Sequence, residues 1–170
     1  MQHLQRITTE YIDTEDRFRL TGISDKDAIM SFWLTQRLLI PLLKACIDWM
    51  ENHSPDVAKK TTDRQSRDSA LSLAHQSAKQ QLPEEKTVVA NSNSPNLLVK
   101  EIDIKLGKAG IELIIKENEE SFSLALNANH LRQWMAIIYP LWLNAKWPDS
   151  HWPDWIRNQE MVPVTSESVH

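Results

Sequence analysis

The groups able to perform chemistry are few in this sequence. There are six histidines, His3, His53, His75, His130, His151 and His170, and one cysteine, Cys46. Zinc needs Cys, His or carboxylate ligands converging at short, recognisable spacings. None of the histidines stands at such a spacing from another His, a Cys or a carboxylate, so no metal site and no cofactor is expected. A cysteine nucleophile needs a thiol polarised by a nearby base or cation. Cys46 instead sits among Leu43, Ile47 and Met50, where it reads as a small buried hydrophobe. The carboxylate pairs Glu15–Asp16 and Glu119–Glu120 fall at turns and read as solvated. Gly22, Gly107 and Gly110 are the only glycines, and they form no phosphate-cradling loop. With no triad or acid/base pair to defend, the sequence reads as a non-enzyme with no catalytic residues.

The unusual stretch is "KWPDSHWPDWI", Lys146 to Ile156. Trp-Pro-Asp occurs twice, followed by Trp155. The tripeptide is similar to the mobile loop of tyrosine phosphatases, which also need a Cys–Arg phosphate cradle that is missing here. Three readings stay open. Each Pro forces extended geometry on its predecessor, so the rings could fold back over the core. Alternatively, Trp147, Trp152 and Trp155 are anchors for a partner, since Trp is enriched at interaction hot spots. Stacking on nucleic-acid bases is the third.

The elements that must position these residues follow from hydrophobic periodicity. Residues 5–34 read as two or three antiparallel strands. Phe18 and Leu20 alternate with Arg17 and Arg19, the period of a half-buried strand. "TGISDKD", Thr21 to Asp27, has turn chemistry, and "AIMSFWL" resumes as a strand. Of Phe32 and Trp33, one must face away from the covering helix, and an outward aromatic there would contribute to a binding patch. Thr35 is a good N-cap. Leu38, Leu39, Leu42, Leu43, Cys46, Ile47 and Met50 then recur at spacings of three and four, a helical stripe that Pro41 should bend. Trp49 lies one residue off the stripe and could face either way.

Residues 54–96 are polar and lack aromatics. Leu71, Ala74, Ala78 and Leu82 give a weak stripe, so a linker with one marginal helix is expected, and whether it orders alone or against a partner stays open. From Leu97 the pattern resumes: "LLVKEIDIKLG" as a strand, "KAG" as a turn, "IELII" as a strand, "KENEE" as a turn, "SFSLAL" as a strand. Asn127 takes the N-cap place. Leu131, Trp134, Met135, Ile138, Leu141 and Trp142 form the next helical stripe, interrupted by Pro140. The tail, residues 161–170, is polar and expected to fray.

Two passages therefore match. Thr35 corresponds to Asn127, Leu39 to Leu131, Leu42 to Trp134, Leu43 to Met135, Cys46 to Ile138 and Met50 to Trp142. Upstream, Phe18 and Leu20 correspond to Ile111 and Leu113. The expectation is an α+β fold built from a duplicated β-β-β-α module, residues 1–53 and 97–160, closing a shared core by pseudo-twofold packing. This topology is similar to that of the transcriptional coactivator PC4 and of the PUR and whirly proteins, and "SLALNANHLRQW" resembles the strand-to-helix junction of the first. The resemblance implies paired modules on single-stranded nucleic acid, with basic and aromatic residues on the open sheet face. Here the outward strand positions mix Glu10, Asp13, Glu101, Asp103 and Glu112 with Arg17, Arg19, Lys100 and Lys105.

Charge weighs on the same question. The net charge is −4 and no segment is a basic block, so the footprint of a nucleic-acid binder is absent, as is that of an anionic-membrane binder. No apolar run reaches the roughly 18–20 residues of a membrane span, and the N-terminal stretch has no apolar signal core. With a single cysteine there is no intrachain disulfide, which fits a reducing, cytoplasmic setting. The sequence thus points to a cytoplasmic interaction or assembly subunit. Trp33, Trp147, Trp152 and Trp155 are its candidate partner-binding residues, and the partner is another protein or a second copy. Single-stranded nucleic-acid binding is the alternative, disfavoured by net charge.

Overall fold

The computed structural model describes residues 1–54 and 63–158. The expected tail at 161–170 and residues 55–62 of the expected linker lie outside the described residues. The chain is α+β. β1 (Gln2–Ile12), β2 (Arg17–Ser24) and β3 (Ile29–Leu34) form a meander that leads into α1 (Gln36–Asn52). α2 (Arg64–Gln80) and the short β4 (Asn96–Leu98) follow. β5 (Ile102–Leu106), β6 (Gly110–Glu117) and β7 (Glu120–Asn127) form a second meander, leading into α3 (Ala128–Asn144) and the single turn α4 (Asp154–Arg157).

All seven strands join one sheet in the order β4-β3-β2-β1-β7-β6-β5. The meanders meet through β1 and β7, which run parallel and pair only at Gln2–Phe122 and His3–Ser123. β4 adds in parallel to the far edge of β3. β4 and β5 are the two ends of the sheet order, yet Leu98 and Ile102 are four residues apart in the chain. That length spans at most about 14 Å, so the sheet must curl until its ends approach. The stretch read as one strand from Leu97 to Leu106 is therefore two, one on each edge, and Val99–Glu101 crosses between them.

Register fixes which side chains face inward. Phe18 pairs with Leu34 and Leu20 with Phe32, while Ile111 pairs with Leu126 and Leu113 with Leu124. All eight are buried. The helices cover this face. Thr35 accepts a side-chain bond from the Leu38 amide at 3.3 Å, and Asn127 accepts one from His130 at 2.8 Å, so both expected caps form. Leu39, Leu42 and Leu43 of α1 then meet Trp134, Met135, Ile138 and Trp142 of α3 across a narrow gap.

Two details differ from the sequence reading. Thr21 to Ser24 belong to β2, and the turn is confined to residues 25–28, where Asp27 rather than Gly22 takes the positive φ. Ser24 Oγ holds that turn by accepting from the amides of Lys26 and Ala28. α2 is also no isolated helix: its Leu71, His75 and Ala78 are buried, and Gln133 of α3 donates to the Ala78 carbonyl at 3.1 Å.

Candidate interaction surface

The Trp-rich segment turns inward. Trp147 is buried against Phe18, with ring centroids 5.1 Å apart, and against Trp142 at 5.0 Å. Its indole N–H donates to Asp16 Oδ1 at 2.8 Å. Asp16 occupies the left-handed region at φ 49° and also accepts from the Tyr11 hydroxyl at 2.7 Å. These two bonds hold its carboxyl below the usual range, and the bond to Asp16 is the largest cause that pushes the Tyr11 phenol up to about 12. Trp152 packs on Tyr139 at 4.9 Å and Trp142 at 5.7 Å. Trp155 donates to Glu51 Oε1 at 3.0 Å, at the end of α1, and meets His75 of α2 edge-on. Residues 147–156 thus tie the end of α3 to the β1–β2 turn, to α1 and to α2. Trp49, open in sequence, is wholly buried and donates to the Gly107 carbonyl at 2.9 Å.

Trp33 is different. It is half-buried on the outer face of β3, opposite in direction to the fully buried Phe32. The Arg19 guanidinium lies 5.6 Å from its ring centroid and is ion-paired to Glu10 at 2.9 Å. On the other side Trp33 pairs with Leu98 of β4, which is 44% exposed. A row of four strands therefore presents Glu10, Arg19, Trp33 and Leu98 outward, charged at one end and apolar at the other.

Beside this row the outer face is covered by the chain itself. The Val88 amide donates to Thr8 Oγ1 at 2.9 Å, and the Ser31 amide donates to the Pro95 carbonyl at 2.9 Å. Residues 88–95 thus cross β1, β2 and β3 as a strap. Beneath it Thr21 and Ser31 are buried and share a hydroxyl hydrogen bond at 3.2 Å. On the second meander the outer face carries the ion pairs Lys105–Glu112 and Lys116–Asp103.

A groove of about 480 Å³ opens where β1 and β7 part beyond their two paired residues. β1 from Leu4 to Thr9 forms one wall, Leu124 to Leu126 of β7 the other, and Trp134 and Ile137 of α3 the floor. The Trp134 indole crosses the gap to donate to Thr9 Oγ1 at 3.0 Å. Residues 82–87 border the groove on their way from α2 to the strap. This feature depends on the long-range meeting of β1 with β7, for which no local sequence signal exists.

Away from these surfaces, Cys46, His75 and Arg132 are titratable groups buried in the fold. Burial pushes the Cys46 thiol up to about 12, so the folded chain holds it as the neutral thiol at pH 7. His75 is 3% exposed and its Nδ1 has no hydrogen-bond partner. Burial, then Lys79 and Arg132, drive its pKa down to about 4. Arg132 is itself buried and donates to Ser54 Oγ at 2.8 Å. The sequence did hold a sign of His75: Leu71, His75, Ala78 and Leu82 are spaced by four, three and four. Among the described residues no group of His, Cys and carboxylates is placed to hold a metal, and no helix is long and apolar enough to cross a membrane. Comparison with protein-family models, with curated proteins and with solved structures found no match.

Proposed function

We propose that this protein is a non-catalytic interaction or assembly subunit that engages another protein through the outer face of its first meander. The observation that supports this most is the Trp33–Leu98 pair. In a chain that turns Trp147, Trp152 and Trp155 inward, Trp33 keeps ring surface outside, beside an exposed leucine on a three-residue edge strand. A large ring at a sheet edge, with a guanidinium already stacked on it, gives a partner an apolar anchor with a polar rim. Single-stranded nucleic acid has less support, because Arg19, Lys105 and Lys116 each face a carboxylate. We also infer that the two β-β-β-α units are related by duplication, on the strength of their shared caps, registers and inward positions. If the units are equivalent across the core, exchanging facing counterparts (Leu42→Trp with Trp134→Leu) should cost less than the two single changes summed. Strict additivity would count against it.

The test of function is co-purification of the full chain from its native cell, with mass spectrometry of what elutes and light scattering for mass. The expected result is one defined protein in stoichiometric amount, lost in Trp33→Ser. A monomer that emerges alone from cells containing it at native level would refute the reading. Binding of labelled single-stranded DNA with a steep salt dependence would replace it.

A further inference from the structure

We propose that the groove between β1 and β7 receives an extended acidic peptide segment of a partner protein, added as a strand to the free edge of β1. The inference rests on the interaction reading above and assigns the chemistry of a second contact. From Leu4 to Thr9, β1 pairs with β2 alone, because its pairing with β7 ends at His3. A strand bonded on one side leaves alternate N–H and C=O groups unpaired on the other. That free edge is about 17 Å long at 3.4 Å per residue.

The bordering segment 82–87 does not use it. Within that segment the backbone bonds are local, Leu82 to Lys79 and Glu85 to Pro83. The sheet already accepts this kind of addition, since β4 joins β3 in parallel over only three residues. An occupant that satisfies strand-spaced donors and acceptors together is a polypeptide backbone; a phosphate chain or an acyl chain has no donors at that spacing.

The charge of the occupant follows from the walls. Arg6 and Lys86 border the groove against the single carboxylate Glu85. Arg6 is partly buried, its Nε has no partner, and among the described residues it makes no ion pair. A cation held partly out of water without a counter-ion favours an anionic ligand. The floor adds an apolar strip through Ile137, which is 37% exposed. Alternating acidic and apolar residues would put carboxylates toward Arg6 and Lys86 and apolar side chains on Trp134 and Ile137.

Anisotropy with a fluorescein-labelled eight-residue peptide alternating Glu and Val, on the full chain at 50 mM salt, tests this. Saturable binding is expected. It should weaken at least tenfold when Lys replaces Glu, when one central Val becomes Pro, or in the Arg6→Gln and Lys86→Gln chains, whose circular dichroism shows them folded. Hydrogen exchange should slow at least tenfold at amides between Leu4 and Thr9 when the peptide is bound. No binding, equal binding of the acidic and basic peptides, or binding without exchange protection would overturn the proposal. So would a peptide-free dimer that protects the same amides, which would assign the groove to a second copy. The two readings fail separately: Trp33→Ser leaves peptide binding intact, and Arg6→Gln leaves the Trp33-dependent partner bound.

Discussion

His75 makes the fold acid-sensitive in a way that can be isolated. It lies on the buried face of α2 between Leu71 and Ala78, with Trp155 of α4 edge-on at 5.9 Å. Its charged neighbours are Lys79 on α2 and Arg132 on α3, while Glu51 on α1 is engaged by the Trp155 indole. The folded chain therefore keeps the ring neutral down to about pH 4, whereas the unfolded chain protonates it near 6.5. Above 6.5 neither state binds the proton, and the native packing has its full value. As the pH falls from 6.5 towards 4 the unfolded state alone gains protons, so stability is lost across that window. The loss amounts to about 2 kcal/mol by pH 5 and about 3 kcal/mol at pH 4, at 1.36 kcal/mol per pKa unit. Urea denaturation followed by Trp fluorescence at pH 7.5, 6.5, 5.5 and 5 would measure it. His75→Leu removes the titration and keeps an apolar side chain in the site, so the other acidic groups cancel in the difference. The stability of the native chain relative to His75→Leu should fall by about 2 kcal/mol between pH 7.5 and pH 5. Parallel profiles for the two chains would refute the argument.

Gly110→Ala should be among the most damaging small changes, because a Cβ there would stand 2.2 Å from the Leu126 carbonyl oxygen in the facing strand. A cost of about 3 kcal/mol in urea melts is expected. Gly22→Ala should stay within about 1 kcal/mol of the native chain, since the nearest atoms to its new methyl are side-chain atoms, the tip of Leu4 at 3.0 Å and Ile7 Cγ2 at 3.6 Å, and none is backbone. Cys46 should react with an aromatic disulfide reagent at pH 8 no faster than the chain unfolds, because the thiol is buried and protonated; rapid native-state labelling would contradict its place in the core. Thr35→Ala and Asn127→Ala should each cost about 1 kcal/mol, the usual value of an N-cap, and the two losses should add because the caps share no partner.

What the sequence displayed, it displayed through period and cap. Phe18 and Leu20, set against Arg17 and Arg19, carried the face of β2. Thr35 and Asn127, each standing before a spacing of three and four, carried the starts of α1 and α3. These signals are local, and they survive because most of the inner face of the curled sheet and of the inner stripes of the helices is buried. Where local pattern and structure part, the cause is long-range. "LLVKEIDIKLG" looked like one strand with imperfect alternation. The imperfection marks the point where the chain leaves the β3 edge and crosses to the β6 edge. Gly22 looked like a turn residue, but its lack of a side chain serves a close approach to Leu4 inside a ladder. The strap and the β1–β7 groove left no local trace, since both depend on which distant strand lies alongside.

The tryptophans show why composition could not separate core from surface. In "SFWLT" the period of two puts Phe32 and Trp33 on opposite faces, but nothing local says which face the helix covers. The answer comes from the register: Phe32 pairs with Leu20 and Trp33 with Arg19, and Arg19 cannot be left inside a core without a partner. For Trp147, Trp152 and Trp155 the same logic runs through their N–H groups. A buried indole needs an acceptor, and two of the three find one on a distant element, at Asp16 and Glu51. Both acceptors sit at ends of elements, where a carboxylate can bond an inward N–H while its other oxygen stays near water. The segment therefore spends its aromatic surface on fastening α3 to β1, α1 and α2, and the ring left on the outer face is the one whose strand register gave it a charged neighbour.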